Sequence, residues 1–267
     1  MRICFLGVGE AFDEHYPNTS LLVSIPSPDS GFHMLLDCGF TVPAAYYRHA
    51  PEDARSGSGL DAIWISHFHG DHFLGLPLLL LRFWEEGRTR PLTIVGQAGV
   101  EEKVWAACEL AYPGFRPRLR YPVRFQEAAS GQVIEVAGAR WSFALGDHSV
   151  ATPCLAVRLD CDGGAVMYSG DGRPTLATAE LARDVDLLVH EAYGLEPDTP
   201  GHGGVPGCLD MARDVRARNL ALVHVNRRVR RESAGEIRAM LARVMGEHAF
   251  LPEPGDVMTL ERGPDHG

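Results

Sequence analysis

The run His67-Phe68-His69-Gly70-Asp71-His72 constrains this chain more than any other stretch, since three imidazoles and one carboxylate fall within six residues. Leu60 to Ser66, just before it, is apolar and rich in Ile and Trp, and reads as a buried strand. Phe73 to Trp84, just after it, is too long and too leucine-rich for a strand and predicts a helix. The cluster therefore falls in a strand-to-helix turn, where backbone can fan several side chains into one small volume. In extended chain, residues two apart point the same way, so His67 and His69 share a side. Neutral imidazole suits zinc, copper, iron or nickel, and a carboxylate suits harder cations and bridging roles. With Asp71 and His72 following at once, these donors would crowd a single ion and are better used by two. The helical His-Glu-x-x-His spacing of a zincin protease is absent.

A chain of 267 residues with 45% hydrophobic and 22% charged residues has the composition of a soluble globular protein with a sizeable core. No linker interrupts it, so one domain over residues 1–267 is expected. The net charge of −10 argues against a broad nucleic-acid-binding surface. None of the six cysteines forms a Cys-x-x-Cys pair, which argues against a separate cysteine zinc site. The N-terminus lacks the pattern of a secretory leader, and no apolar run reaches the roughly 18 residues of a spanning helix. A cytoplasmic location with reduced, buried thiols and no membrane partner is the expectation.

Strands are expected at Arg2–Gly7, Leu21–Ile25, Phe32–Gly39 and Leu92–Gly96, with a turn at Pro26–Gly31 and a flexible loop at Ser56–Gly59. Gly7-Val8-Gly9 lacks the third glycine and the following helix of a dinucleotide fingerprint. Val100 to Tyr112 has helical spacing, with Val100, Val104, Ala107, Cys108 and Ala111 on one face. Arg116, Arg118, Arg120 and Arg124 punctuate an extended stretch and read as a solvated strand face. In the second half, apolar strands lead into Gly146-Asp147-His148, Gly170-Asp171, His190-Glu191 and His224. Ligands commonly bind beyond the carboxyl ends of strands in α/β folds, so these repeated strand-end donors support one shared site with His67. Arg227, Arg228, Arg230 and Arg231 follow His224, either as a phosphate grip or as a charged surface before a helix at Ala234–Leu241. Phe250 to Leu260 reads as a closing strand and Gly263 to Gly267 as a loose tail. His15, His33, His49, His248 and His266 have no motif around them.

His67-x-His69-x-Asp71-His72 resembles the signature of the metallo-β-lactamase superfamily, and Gly75-Leu76-Pro77 looks most like its ribonuclease Z and phosphodiesterase branch. The resemblance implies an α/β fold: a four-layer αββα sandwich of two mixed β-sheets flanked by helices, with a dinuclear site at one edge. It implies two divalent metal ions, zinc before manganese or iron. His67, His69 and His148 would hold the first, Asp71, His72 and His224 the second, and Asp171 would bridge both. Asp37 would support the site from behind. His190-Glu191-Ala192-Tyr193 looks like the family's His-Glu-Ala-Thr motif, and Gly201-His202-Gly203-Gly204 resembles its His-Ser-Thr segment. By that likeness Glu191 and His202 assist proton transfer, and Asp71 takes a proton from the nucleophile. The implied activity is phosphodiester hydrolysis by a hydroxide bridging the two metals.

Ribonuclease Z usually carries a long tRNA-gripping arm between the third metal histidine and the bridging aspartate. Here only a short hairpin separates His148 from Asp171. Together with the acidic charge, this argues against tRNA and for a small phosphodiester or short nucleotide substrate. Thioester or lactone hydrolysis, tRNA 3′ processing, and a non-catalytic metal- or metabolite-binding role are the alternatives. A homodimer is compatible with the sequence.

Overall fold

The computed structural model describes residues 1–26, 31–55, 59–196 and 199–261. The expected tail lies outside the described residues, as do most of the Pro26–Gly31 turn and of the Ser56–Gly59 loop. The first half comprises β1 (Arg2–Gly7), β2 (Ser20–Ile25), β3 (Phe32–Leu36), α1 (Val42–His49), α2 (Glu52–Arg55), β4 (Ala62–Ile65), α3 (Gly70–Phe73), α4 (Leu76–Glu85), β5 (Leu92–Gly96), α5 (Val100–Ala111) and β6 (Val123–Glu127). The second comprises β7 (Val133–Val136), β8 (Ala139–Leu145), β9 (Leu155–Cys161), β10 (Gly164–Tyr168), α6 (Leu176–Leu181), β11 (Leu187–Glu191), α7 (Val205–Asp214), β12 (Leu220–Val223), α8 (Arg227–Met245), β13 (Ala249–Phe250) and β14 (Val257–Thr259).

Among the described residues the strands form two seven-stranded sheets, in the orders β14-β1-β2-β3-β4-β5-β6 and β13-β12-β11-β10-β9-β8-β7. In the first, β14, β1, β2 and β3 pair antiparallel, and β3 to β6 run parallel. The second repeats this: β7 to β10 are antiparallel and β10 to β13 parallel.

Most strands of both sheets are apolar on both faces, because each sheet is covered twice. Ile3, Phe5, Leu21, Val23, Met34, Leu36 and Trp64 point between the sheets, where they meet Trp141, Phe143, Val157, Val166, Val189 and Val223. Trp64 stacks on Phe143 at 4.9 Å and meets Trp141 edge-on at 6.3 Å. The alternate residues Cys4, Leu6, Leu22, Leu35, Ile63 and Ile65 pack outward under α1, α4 and α5. Met167, Leu188, Leu220 and Leu222 do so under α7 and α8. The result is the αββα sandwich expected from the sequence.

Several local expectations change. The helix after the histidine run breaks at Gly75, between α3 and α4. A Cβ at Gly75 would lie 2.1 Å from the Gly39 carbonyl oxygen, so only glycine permits this approach. The basic run does not precede the last helix but forms its first turns, capped by the Asn226 side chain. The expected closing strand is two short ones, β13 and β14, on different sheets. On α5 only Val100, Val104 and Cys108 are buried, a narrower face than expected. Arg116–Arg118 is a short 3₁₀ turn, and only Arg124 of that group lies on a strand, β6. Cys4, Cys38, Cys108, Cys154 and Cys208 are buried thiols without a disulfide. Among the described residues, no helix is long and apolar enough to cross a membrane.

Candidate metal centre

The carboxyl ends of β3, β4, β8, β10, β11 and β12 meet at one end of the sandwich, and each delivers a polar side chain. His67 follows β4 directly, and the short helix α3 brings Asp71 and His72 back beside it. The turn is clamped to the chain after β3 by backbone bonds from Cys38 N to His72 O (2.7 Å) and from Gly75 N to Cys38 O (2.8 Å). Asp37 and His224, at the ends of β3 and β12, hold left-handed backbone at φ 61° and 55°. Such conformations are costly for non-glycine residues and persist only where the surroundings impose them. Here Asp37 N donates to Trp64 O at 2.8 Å and His224 N to Val8 O at 2.9 Å.

Three imidazole nitrogens converge in a first cluster: His69 Nδ1 lies 3.1 Å from both His67 Nε2 and His148 Nε2. The far nitrogens are engaged. His148 Nδ1 donates to Gly201 O at 2.8 Å. Ser66 Oγ donates to Asp37 at 2.7 Å and so accepts from His67 Nδ1 at 3.1 Å. Burial pushes the pKa of His67 and His69 down, so the rings are neutral. The neutral His67 ring, its Nδ1 proton given to Ser66, therefore turns a bare Nε2 lone pair onto His69 Nδ1, a conflict that only a proton on that one nitrogen could relieve. A cation between them removes that conflict, so the donor set fits a metal ion.

The second cluster holds Asp71, His72, Asp171 and His224. Asp71 Oδ2 lies 3.2 Å from His72 Nε2 and 3.3 Å from His224 Nε2. Asp171 Oδ1 is 3.2 Å from His72 Nε2, yet both atoms are buried without a hydrogen bond. Asp171 Oδ2 is 3.5 Å from His224 Nε2 and 3.9 Å from His67 Nε2, so this carboxylate reaches both clusters. Burial disfavours charge on His224 and His72, but neighbouring carboxylates, Asp171 foremost, outweigh it and lift both, His224 to about 9. Burial likewise opposes charge on Asp71, and the hydrogen bond from His224 together with the nearby His72 holds its carboxyl well below the usual range. The cluster thus demands positive charge, which a divalent ion would supply. Asp37 fixes this half from behind, accepting from His72 Nδ1 at 2.7 Å and from Tyr168 OH at 2.8 Å. That orients His72 Nε2 inward, the usual arrangement behind a metal-binding histidine.

Glu191 is fully buried, and its Oε1 accepts from Gly172 N (2.8 Å), Gly203 N (3.0 Å) and His202 Nδ1 (3.1 Å). The His202 ring stacks against Tyr193 at 4.7 Å and lies nearly parallel to His224 at 5.8 Å. Burial lowers the pKa of His202, but the bond to Glu191 more than reverses this and raises it. All nine sequence-predicted site residues therefore lie together. A cavity of about 450 Å³ opens onto His69, Asp71, His148, Asp171, His202 and His224, lined also by Glu10, Phe12, Phe40 and Tyr193. A second hollow of about 460 Å³, by Met1 and His33, has no donor cluster among the described residues. Ser66 and Tyr168, which brace Asp37, were not singled out from the sequence. Ser66 could have been, as the residue joining the strand to His67.

The chain matches the family described as anti-Pycsar protein Apyc1 over residues 1–244. It belongs to that family. It is 28% identical to ribonuclease Z of Methanosarcina mazei over 278 aligned positions, covering 85% of this chain and 88% of that one. It is 27% identical to ribonuclease BN of Escherichia coli, covering 85% and 90%. Among solved structures, the metallo-β-lactamase-fold protein YhfI of Bacillus subtilis superposes with a TM-score of 0.77 at 19% identity, covering 96% of this chain and 98% of that one. The short form of human tRNase Z superposes at 0.75 with 20% identity, covering 98% and 100%. A diphosphatase of the PhnP family superposes at 0.70 with 19% identity, covering 97% and 98%. The fold is that of the metallo-β-lactamase superfamily, and the curated relatives to which the chain is similar are ribonucleases Z and BN.

Proposed function

We propose that the protein is a phosphodiesterase for a small diester, such as a short or cyclic nucleotide, working with two divalent metal ions. Zinc is the first choice, with manganese and iron as alternatives. The coarser statement, a metal-dependent hydrolase, is supported by the ribonuclease Z relatives and the buried donor clusters. The observation that carries the finer reading is the Asp171 carboxylate lying within reach of both clusters, with His202, bonded to the buried Glu191, on the same cavity.

In this reading His67, His69 and His148 would hold one ion and Asp71, His72 and His224 the other, with Asp171 within reach of both clusters. Bound there, the ions supply Lewis acidity and a water that deprotonates near neutral pH. Asp71 accepts the proton of the attacking water. His202, its Nδ1 bonded to Glu191, presents its other ring nitrogen to the cavity and protonates the departing alkoxide. Glu191 sets the direction of that ring, because three donors hold its Oε1. The cavity volume suits a mononucleotide-sized ligand. Only β9 and β10 separate His148 from Asp171, so the chain has no arm at that position.

The test is hydrolysis of bis-p-nitrophenyl phosphate by zinc- or manganese-loaded protein, with metal content measured in parallel. The His69→Ala variant should lose turnover, and ordinary turnover by it would refute the proposal. A precursor tRNA assay addresses the second reading, 3′ processing, which rests on the names of the ribonuclease Z and BN relatives. Metal uptake without turnover of any diester, lactone or thioester would favour a binding protein instead.

A further inference from the structure

Tyr193 stands where the resembled His-Glu-Ala-Thr motif has threonine. Its ring lies flat against His202, with 4.7 Å between centroids and 26° between planes, and both rings line the cavity. His202 is flanked by Gly201, Gly203 and Gly204. A Cβ at Gly201 would lie 2.3 Å from the His148 carbonyl oxygen, and one at Gly203 would lie 2.9 Å from that of Glu191. The close approach of this loop therefore leaves His202 without a side chain beside it that could hold its ring. The bond from His202 Nδ1 to Glu191 Oε1, at 3.1 Å, fixes one direction only. The ring can still swing about that bond, because the outer torsion of a histidine side chain is broad. A second contact has to set the plane. His148 meets the ring edge-on at 5.0 Å and His224 is parallel but at 5.8 Å, so Tyr193 makes the closer face contact.

Tyr193 is itself held at both ends. Its N donates to Gly203 O at 2.8 Å and Val205 N donates to Gly194 O at 2.9 Å, so the segments carrying the two rings lie side by side. At the far end its hydroxyl accepts from Asn226 Nδ2 at 3.0 Å, and Asn226 N donates to Tyr193 O at 3.0 Å. The Asn226 oxygen in turn caps α8. We propose that Tyr193 is a positioning residue, whose ring sets the plane of His202 so that Nε2 faces the leaving group while Glu191 holds Nδ1. This deepens the phosphodiesterase reading and rests on it for His202 as the proton donor. In the step concerned, the bond from phosphorus to the leaving oxygen breaks, the electron pair stays on that oxygen, and the His202 Nε2 proton passes to it. Tyr193 gives up nothing and gains nothing. A threonine at this position has no ring and could not set a plane.

The experiment uses zinc-loaded protein and two diesters of similar shape, bis-p-nitrophenyl phosphate and diphenyl phosphate. p-Nitrophenolate departs without help, whereas phenoxide needs a proton, so the ratio of kcat on diphenyl phosphate to kcat on the nitro ester reports proton donation. Tyr193→Leu should lower that ratio about 10- to 100-fold, because a displaced acid loses most of its effect. Tyr193→Phe keeps the ring and should restore most of it. A general structural fault would lower both rates together and leave the ratio alone, and melting curves confirm that each variant folds. His202→Ala should lower the ratio by itself, and adding Tyr193→Leu should lower it no further, since the two residues act as one unit. An unchanged ratio in Tyr193→Leu, or a further fall in the double variant, would overturn the proposal. Failure of the reaction reading shows differently: the wild type would cleave neither diester, or His202→Ala would leave the ratio as it was. Crystal structures then decide the positioning. The His202 ring should keep one plane in the wild type and in Tyr193→Phe, and turn or split between conformers in Tyr193→Leu with its bond to Glu191 retained. A ring unmoved in Tyr193→Leu would overturn the proposal there too.

Discussion

Asp37 shows how one side chain outside the ligand set can govern the site. Its carboxylate gathers Ser66 N, Ser66 Oγ, His72 Nδ1 and Tyr168 OH, all within 2.8 Å, and so orients two proposed ligands at once. Asn tolerates left-handed backbone better than most residues, so Asp37→Asn keeps the turn while placing an amide where a carboxylate is needed. The expected outcome is a metal affinity about 10- to 100-fold weaker, read by competition with a chelator of known strength. An unchanged affinity would mean that His72 is oriented by something else. His224 gives a second prediction. Burial opposes its charge, but Asp171 and Asp71 lift its pKa to about 9, so without metal it carries a proton at pH 7. A metal must displace that proton, so affinity should climb with pH until about 9 and then level. Calorimetry at pH 7 in buffers of different ionisation enthalpy should detect proton release on loading, and no release would contradict the assignment of His224 as a ligand. The proposed ligands themselves were legible because they are crowded in sequence or end apolar strands. The Asp37–Tyr168 contact was not, since 131 residues separate the pair and Tyr168 has no motif around it.

Helix α8 shows what happens to a charge run once it is wound. Arg227 and Arg230 fall three apart, on the face that meets the body of the protein. Arg230 is 4% exposed, bonds Pro252 O at 2.6 Å and Glu253 at 3.1 Å, and lies over Tyr16 at 4.4 Å. Arg228 and Arg231 are exposed, on the opposite side. Arg230→Ala should therefore cost about 2–4 kcal/mol, through lost charged hydrogen bonds and lost packing. Arg228→Ala and Arg231→Ala should stay within about 0.5 kcal/mol. Urea melts of the three variants check this, and a neutral Arg230→Ala would remove its structural role. The sequence carried the clue in Asn226, a good N-cap residue; starting the helix there, and not at Ala234, sorts the arginines by face. Most strands were readable because they are apolar and β-branched, but β6 and β7 were not. Both are edge strands with exposed or half-exposed residues, and their hydrophobic signal is weak. The split of the chain end into β13 and β14 was hidden because Phe250 to Leu260 changes sheets, a matter of tertiary position that local pattern does not encode.

At the scale of the whole molecule, the two halves of the chain build similar sheets, and each half brings donors the other lacks. His67, His69, Asp71 and His72 come from the first sheet's end, whereas His148, Asp171 and His224 come from the second's. Each proposed ion therefore takes ligands from both sheets, and the metal centre is also a clasp across the sandwich. Below it the sheets are joined by apolar packing, with Trp64 against Trp141 and Phe143 near the middle. That core should hold the halves together without metal, so removing the ions should loosen the molecule and not unfold it. Zinc free at about 100 times its dissociation constant stabilises by about 2.7 kcal/mol for one site. For a chain of this size, that is a rise in Tm of about 5–11 °C. Thermal melts with zinc and with excess chelator should differ by that much or more. The gap should shrink in His69→Ala and again in His69→Ala with His224→Ala, since each substitution weakens one side of the clasp. Identical melts with and without metal would show that the clusters do not bridge the two sheets. The dinuclear assignment would then fail on structural grounds, before any substrate had been tried.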